Sequence, residues 1–383
     1  MKMKNMVAIV LGFMMSMSVV GCGTREVTST DNNSDTIKIG LLTPKTGKVA
    51  QYGINVENAA KLAIDEVNAA GGINGKQVEL IAYDNKGDAT ESINLFKRLV
   101  DNDKVVAVVG PVISSTALAV APLAEEKGIP VITPTATNVD VTLDSDYMFR
   151  ACFTDPYQGG IMSKFATENL KAQTAAILYN SGDDYSTGLA EAFKENFEAA
   201  GGIITDYEAY TEDEKDFKAV LTNMKANSPD VLYVPDYYNT VGLIAEQVKQ
   251  VGLEVTMLGA DGWDDVQKDY GSVTEGYYFT NHYAADDTDE IVQKFVTSYQ
   301  DTYEGNTPNA LGALGYDATK IMCHAIDEAD STDGEAIVKA LSGTDMDCVA
   351  GHVTFDENGD PQKAVTILTI KDGKLVFETK VQP

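Results

Sequence analysis

The chain has 383 residues, 44% of them hydrophobic, which is enough for a well-packed core and more natural for two domains than for one. Its 58 acidic and 29 basic residues give a formal net charge of -29. This charge argues against a nucleic-acid partner, because phosphates repel it and few cationic side chains are available to bind them.

The N-terminus has the pattern of a bacterial lipoprotein signal. Two lysines precede an apolar run over residues 6–20, which has the length of a signal-peptide core. A small residue before Cys22 resembles a lipobox, with valine where leucine is usual. We predict a signal peptide over residues 1–21, lipid attachment at Cys22, a polar tether over 22–36 and an extracytoplasmic, lipid-anchored protein. An ordinary cleaved signal or a membrane-spanning anchor is the alternative.

The remaining cysteines are Cys152, Cys323 and Cys348. Because disulfides persist in oxidising compartments, one pair can be bridged, and Cys323 with Cys348 is the candidate because they are nearest in sequence. Three buried thiols are the alternative.

Apolar runs then alternate with amphipathic segments, which is the pattern of strands and helices in a parallel sheet. The first strand is predicted over residues 37–42. The first helix is predicted over 55–70, with one apolar face. Gly71 and Gly72 end this helix because glycine adopts the left-handed cap conformation without strain.

A five-residue motif repeats in the two halves of the chain. AAGGI at 69–73 recurs at 199–203, and each copy ends a helix and opens a strand. An acidic helix start, a buried strand (105–110 or 230–235), a further helix and a last strand then follow in the same order. The retained order predicts an α/β fold of two similar, doubly wound lobes.

Ligands of open parallel sheets bind beyond the carboxyl ends of the strands. In the first half, the loops at these ends are rich in small hydroxyl residues at 114–116 and 133–138, and one of them opens a helix; this set suits an anion such as a carboxylate. In the second half, the corresponding loops carry Tyr237, Tyr238 and Asp261, which suit a cation. An α-amino acid carries both charges on adjacent atoms, so these loops predict an amino acid bound between the lobes.

Several stretches carry a family resemblance through their joint order and spacing. They are TGKVAQYG (46–53), NAAGGINGK (68–76), VVGPVISS (108–115), ITPTATN (132–138), DDYSTGLAEAF (183–193), EKDF (214–217), GYDA (315–318) and TFDENGD (354–360). Together they resemble the branched-chain amino acid binding proteins of ABC importers, the leucine-isoleucine-valine type of periplasmic binding protein. The likeness runs from about residue 37 to the C-terminus.

The resemblance implies how the ligand is held. A serine and a threonine of lobe 1 bind its carboxylate with backbone help, an acidic residue and aromatics of lobe 2 bind its ammonium group, and further aromatics close over it. These roles fall here on Tyr52, Ser114, Ser115, Thr135, Ala136, Thr137, Tyr185, Tyr237 and Asp261.

Two positions depart from the enteric members of that family. Asp261 stands where they have glutamate, which shortens the reach by one methylene group. Ile113 stands where they have a cysteine, so the disulfide expected in that loop is missing and the ligand side chain meets an aliphatic wall instead.

Each predicted site residue also has a purely structural alternative. Ser114 and Ser115 are suited to capping the helix that follows them. The threonines can form a hydroxyl-rich turn, the tyrosines can be packing residues, and Asp261 before a glycine is typical of a turn.

The resemblance implies an extracytoplasmic solute-binding protein of an ABC importer, monomeric, without cofactor or metal, with permease subunits as partners. Lobe 1 is predicted over 37–154 plus 285–353 and lobe 2 over 155–284 plus 354–383, joined by a three-stranded hinge. The ligand itself is left open: leucine, isoleucine or valine leads, and an amide or an organic acid is the alternative.

Two other classes of function remain alternatives. A sensor or receptor module that binds a ligand and signals through a partner would use the same fold. An extracellular hydrolase is the remote alternative, because the three histidines lack metal-binding spacing and no nucleophile elbow occurs.

Overall fold

The computed structural model describes residues 36–381. In chain order its elements are β1 (Ile37–Thr43), α1 (Ala50–Ala69), β2 (Val78–Asp84), α2 (Ala89–Arg98), β3 (Ala107–Val109), α3 (Ser114–Lys127), β4 (Val131–Thr133), α4 (Asp140–Leu143), β5 (Met148–Arg150), α5 (Asp155–Glu168), β6 (Thr174–Asn180), α6 (Asp184–Ala199), β7 (Ile203–Tyr210), α7 (Lys218–Asn227), β8 (Val231–Tyr233), α8 (Tyr238–Val251), β9 (Thr256–Gly259), α9 (Val266–Tyr270), β10 (Tyr278–Asn281), α10 (Glu290–Thr302), α11 (Ala310–Ala329), α12 (Gly334–Ser342), β11 (Asp345–Cys348), β12 (Gly351–Thr354), β13 (Val365–Lys371) and β14 (Lys374–Val381), with a π-helical turn at Leu99–Asp103 and a 3-10 helix at Asp261–Trp263.

Lobe 1 is built on a five-stranded sheet with the order β2-β1-β3-β4-β5. All its strand pairs are parallel. The central strands are almost wholly apolar and buried, because helices cover both faces of a parallel sheet.

Lobe 2 is built on a seven-stranded sheet with the order β14-β13-β10-β9-β8-β6-β7. Its first five strands along the chain have the same parallel arrangement as lobe 1, and β13 and β14 extend it as an antiparallel hairpin. The matching strand orders confirm the predicted α/β fold of two doubly wound lobes.

The first predicted elements are present with shifted limits. Helix α1 begins at Ala50, five residues earlier than predicted, because its first turns pack Tyr52 and Val56 into the core. Gly71 and Gly72 follow it with φ of 115° and 77°, the left-handed conformations that the double glycine predicts.

The chain passes between the two sheets three times. It leaves the first sheet after β5, returns to it after β10, where α11 packs against α1, and reaches the second sheet again at β13. The predicted lobe limits, 37–154 plus 285–353 and 155–284 plus 354–383, fall in or near these connections. Their positions, and a hinge made of these three segments, stay predictions.

The three cysteines are buried thiols, which was the alternative to a disulfide between Cys323 and Cys348. Cys152, Cys323 and Cys348 are free and buried, so the structure does not contain the candidate bridge between Cys323 and Cys348. Nearness in sequence does not pair them, because α12 and the turn after it separate the two residues and both pack into the apolar core. Burial raises the pKa of the Cys323 thiol to about 12, which keeps this thiol protonated and unreactive.

The predicted signal peptide, most of the predicted tether and the lipid-bearing Cys22 lie outside the described residues. Among residues 36–381, no helix combines the length and the apolar character needed to cross a bilayer.

Candidate functional site

The carboxyl ends of both sheets meet at a small cavity between the lobes. Its volume is about 20 Å³, room for a water-sized group only, so its walls must move apart before a larger solute enters. Six of the nine predicted site residues line it, together with four others; the lining is Tyr52, Val112, Ile113, Ser114, Thr135, Tyr185, Tyr237, Asp261, Gly262 and Leu311. The structure therefore brings together residues that the sequence spreads over most of the chain.

The other three predicted residues lie around this cavity. Ser115 lines a wider space at the mouth of the cleft, next to Lys48 and Asp183. Ala136 and Thr137 are wholly buried behind the lobe 1 wall.

The lobe 1 wall consists of the start of α3 and the loop after β4. Ser114 is the first residue of α3, yet no side chain caps this helix; the Ser114 hydroxyl instead accepts a bond from the Asn138 N–H at 3.4 Å. The Thr135 hydroxyl donates to the Val112 carbonyl at 2.6 Å. Thr137 Oγ1 is buried and makes no hydrogen bond of good geometry; burial raises the pKa of the nearby Asp155 carboxyl, and this hydroxyl opposes the effect. A buried hydroxyl that is so poorly satisfied marks a position where a ligand can supply a better bond.

Arg150 holds the threonine-rich loop in place. Its side chain is fully buried and donates to the carbonyl oxygens of Ala136 and Asn138 at 2.9 and 2.8 Å. It also pairs with Asp360, with 2.5 Å between Nε and Oδ1. The guanidinium group thus ties the loop after β4 to the segment between β12 and β13.

The lobe 2 wall is centred on Asp261, which opens the 3-10 helix after β9. The residue is only 3% exposed. Its Oδ1 accepts hydrogen bonds from the Tyr185 hydroxyl at 2.8 Å and from Gln158 Nε2 at 3.1 Å. Its Oδ2 lies 2.9 Å from His282 Nε2. Asp261 is therefore a fixed, buried carboxylate rather than a surface turn residue.

Aromatic rings complete this wall. Tyr185 and Tyr237 stack with their centroids 5.1 Å apart and their planes at 9°. Gly262 allows this arrangement, because a Cβ at that position would lie 2.7 Å from the Tyr185 hydroxyl oxygen and 2.9 Å from the Asp236 carbonyl oxygen. From lobe 1, Tyr52 crosses the cleft and donates its hydroxyl proton to the Gly262 carbonyl.

The sequence did not reveal three buried side chains that support Asp261. Asp155 and Gln158 lie in the first turns of α5, and His282 follows β10. Gln158 bonds to Asp155, Asp261 and Thr280, and the His282 ring stacks on Phe153 at 3.9 Å. An Asp-Pro pair that opens a helix was the only local signal, and it indicates a helix start rather than a site.

The lobe 2 side of the site carries acidic groups without a positive partner. Burial raises the pKa of Asp155 to about 8. Burial also lowers the pKa of His282, although Asp261 opposes the effect, so the imidazole is neutral near pH 7. No lysine or arginine side chain among the described residues bonds to Asp261, and the neutral His282 ring supplies no positive charge. This wall is therefore suited to a ligand that brings its own positive charge.

A second set of contacts joins the lobes next to the site. Asp264 Oδ2 accepts a bond from the Ala310 N–H at the start of α11, at 2.7 Å, and Asp265 accepts one from Asn309 Nδ2 at 3.0 Å. Both carboxylates belong to the same short loop as Asp261, and α11 packs in lobe 1. We name this pair of contacts the interlobe latch.

Nothing in the described part of the chain resembles a metal centre: residues 36–381 contain no group of three or more His, Cys, Asp or Glu side chains arranged to hold an ion.

Comparisons with known proteins agree with this architecture. The chain is 32% identical over 334 residues to the leucine-, isoleucine-, valine-, threonine- and alanine-binding protein of Pseudomonas aeruginosa. The match covers 85% of this chain and 87% of that protein. The crystal structure of a leucine binding protein, LivK, from Thermotoga maritima superposes with a TM-score of 0.86 at 34% identity, covering 91% of this chain and 99% of the other.

A second crystal structure, the branched-chain amino acid transporter substrate binding protein LivJ from Streptococcus pneumoniae, was determined in complex with isoleucine. It superposes with a TM-score of 0.85 at 32% identity and covers 91% of this chain and all of that one. The family model for periplasmic binding proteins matches residues 36–374. The chain belongs to the periplasmic binding protein family.

Proposed function

We propose that the protein is the extracytoplasmic solute-binding protein of an ABC importer and that it binds a branched-chain amino acid between its lobes. The observation that carries the proposal is the opposite chemistry of the two cleft walls: hydroxyl groups and a helix start on lobe 1, and a buried carboxylate with tyrosines on lobe 2. A zwitterion satisfies both walls at once.

The ligand carboxylate is assigned to lobe 1. The start of α3 offers backbone N–H groups that have no partner inside the helix, and the helix dipole favours a negative charge there. Ser114 and Thr137 add hydroxyl groups, and that of Thr137 makes no hydrogen bond of good geometry. Thr135 and Ala136 shape the loop, and Ser115 faces the cleft mouth.

The ligand ammonium group is assigned to Asp261. Tyr185 and Tyr237 add π-faces that attract a cation, and Tyr52 closes the cavity from the opposite lobe. The shorter aspartate is compatible with this role, because Tyr185, Gln158 and His282 hold it in one orientation at the cavity wall.

The ligand side chain is assigned to the aliphatic part of the lining. Val112, Ile113 and Leu311 contribute only hydrocarbon to the cavity, so they favour leucine, isoleucine or valine over polar side chains. The binding specificities stated for the relatives from P. aeruginosa, T. maritima and S. pneumoniae agree with this assignment.

Closure of the lobes is the mechanism of capture. A bound zwitterion makes contacts to both walls only when the lobes are together, so it shifts the equilibrium towards the closed form. Tyr52 and the interlobe latch hold that form through the loop that carries Asp261. The permease then recognises the closed protein, and ATP hydrolysis belongs to other subunits.

The latch makes a prediction for the variant Asp264→Asn. Replacing the carboxyl group that accepts from the Ala310 N–H is expected to weaken leucine binding by about 5- to 30-fold, since a hydrogen bond of this kind contributes roughly 1–2 kcal/mol to the closed form. Titration calorimetry measures the affinity. The control is Asp333→Asn, because Asp333 accepts a bond from a helix N–H within one lobe, at 3.1 Å from Ala336. An unchanged affinity of Asp264→Asn would remove the latch from the mechanism.

The wider setting is part of the same proposal. The protein is a monomer that holds no metal or cofactor, performs no catalysis and is attached by a lipid at Cys22 to the outer side of the cytoplasmic membrane. Recovery of leucine unchanged after prolonged incubation distinguishes a binder from the alternative, a hydrolase. A sensor module would bind the same ligand but would fail to support leucine uptake with the cognate permease.

A ligand screen tests the proposed function. We expect leucine, isoleucine and valine to raise the melting temperature, because a ligand at one hundred times its Kd stabilises the native state by about 2.7 kcal/mol. Two analogues of leucine each lack one of its charged groups: 4-methyl-2-oxopentanoate lacks the ammonium group, and isopentylamine lacks the carboxylate. Neither should bind measurably. Equal binding of the oxo acid would instead favour the organic-acid alternative.

A further inference from the structure

Two buried carboxylates meet at a single amide group behind the lobe 2 wall. Gln158 Nε2 donates to Asp155 Oδ1 at 3.3 Å and to Asp261 Oδ1 at 3.1 Å. Asp155 is 1% exposed and Asp261 is 3% exposed. Gln158 cannot turn away, because its Oε1 accepts from the Thr280 hydroxyl at 2.8 Å. The two acids are therefore held close together and away from water.

The surroundings do not neutralise this pair. Asp155 Oδ2 makes no hydrogen bond of good geometry; burial raises the pKa of this carboxyl, and the nearby Thr137 hydroxyl only partly opposes that effect. The phenol groups of Tyr185, Tyr233 and Tyr237 face the same region, and burial raises the pKa of each well above its usual value, so they stay neutral.

The charged groups on neighbouring elements have other partners. Arg150, at the end of β5, is occupied by Asp360 and by backbone carbonyls, and Lys363 donates to the Ala151 carbonyl at 2.9 Å. His282 bonds to Asp261 through Nε2, while its Nδ1 is buried and unpartnered.

We propose that Asp155 and Asp261 form an acid pair that shares one proton when no solute is bound, and that the ammonium group of the amino acid displaces this proton. The inference rests on the proposed function, because it requires a ligand with a positive group at Asp261. The balance is simple: the ligand keeps its three ammonium protons, the carboxyl proton of Asp155 passes to solvent, and no bond to carbon changes.

The physical reason is the cost of burying two like charges. Without a cation, two carboxylates joined by one neutral amide cannot both stay ionised in a dry environment, and one of them holds a proton. Burial, reinforced by the charge of Asp261, raises the pKa of Asp155 to about 8, so this residue is the proton carrier. An ammonium group at Asp261 supplies the missing positive charge and lowers that pKa.

Proton release makes the affinity depend on pH in one direction. The ligand prefers the pair with its proton removed, so protons compete with the ligand. Below the pKa of about 8, the affinity rises by up to about tenfold for each unit of pH, and above it the affinity levels off. His282 contributes with the same sign only at lower pH, because burial lowers its pKa.

Calorimetry in two buffers measures the proton directly. Leucine is titrated into the full chain at pH 7 in phosphate and in Tris, whose ionisation enthalpies differ, and the slope of the observed enthalpy against the ionisation enthalpy gives the number of protons exchanged. We expect about one proton released by the wild type and by the exposed control Asp101→Asn, and close to none by Asp155→Asn.

The outcomes separate this inference from the proposed function. Leucine binding with zero slope from pH 6 to pH 8 would overturn the shared proton and leave the function standing. A slope that persists in Asp155→Asn but disappears in His282→Asn would overturn Asp155 as the carrier. Absence of leucine binding at every pH would overturn the function itself, and the proton linkage with it. Should Asp155→Asn fail to fold, the pH profile of wild-type affinity decides, because a flat profile between pH 6 and pH 8 contradicts the inference.

Discussion

Asp261→Asn is expected to weaken leucine binding by about 30- to 5,000-fold, a loss of roughly 2–5 kcal/mol. In the proposed mode of binding, the substitution removes the counterion of the ligand ammonium group and leaves that group desolvated, because Asp261 is the one charged side chain among the described residues that line the cavity. Asp261→Ala is expected to weaken binding at least as much, because it also removes the acceptor for Tyr185 and Gln158.

The asparagine variant separates charge from structure. An amide at this position keeps an oxygen for Tyr185 and Gln158, so the melting temperature of the free protein should be nearly unchanged. The control Asp345→Asn removes one charge from the exposed strand β11 and should bind leucine like the wild type. Wild-type affinity of Asp261→Asn in calorimetry would contradict the assignment of the ammonium site.

Arg150→Met is expected to lower the free energy of unfolding by about 3–5 kcal/mol. The guanidinium group is fully buried and pairs with Asp360; methionine fills the space but leaves Asp360 without its positive partner and the carbonyl oxygens of Ala136 and Asn138 without their donor. Because these carbonyls belong to the loop that carries Thr137, leucine binding should weaken as well. Urea unfolding followed by tryptophan fluorescence measures the loss.

A surface pair provides the matched control for this variant. Lys127→Met breaks the ion pair with Asp101, 3.2 Å from Lys127 Nζ, but the two side chains are 29% and 51% exposed. Solvent screens such a pair, so the expected loss is about 0–1 kcal/mol. If the two variants lost similar amounts of unfolding free energy, burial of the Arg150 ion pair would not add to its contribution to stability.

The sequence predicted the walls of the site because strand ends converge in a parallel sheet. The order of elements repeated in each half, and this order specifies which loops emerge at the carboxyl edge. Ser114, Thr135, Tyr185, Tyr237 and Asp261 all follow from that rule together with the family resemblance, and the structure brings them to one cavity.

The state of the cysteines and the hydrogen-bond partner of Ser114 could be read only from the folded chain. The cysteine pair that was nearest in sequence is not bridged, since nearness along the chain says little about distance across a core. Ser114 opens a helix, as predicted, but its hydroxyl does not cap that helix, because the Asn138 N–H takes it instead. In both cases a neighbour that is distant in sequence decides the outcome.

The sequence by itself determined the fold class, the two-lobe organisation and the opposite chemistry of the two walls. Each of these follows from the local hydrophobic periodicity and from the identity of the residues that follow each strand. Only the tertiary structure decided what lies behind those walls. Gln158, in the first turns of α5, meets Asp261 across 103 positions within lobe 2, and Asp264 meets the start of α11 in lobe 1 across 46. Such contacts depend on how distant helices and loops pack on each other, and a local sequence pattern contains no information about that packing.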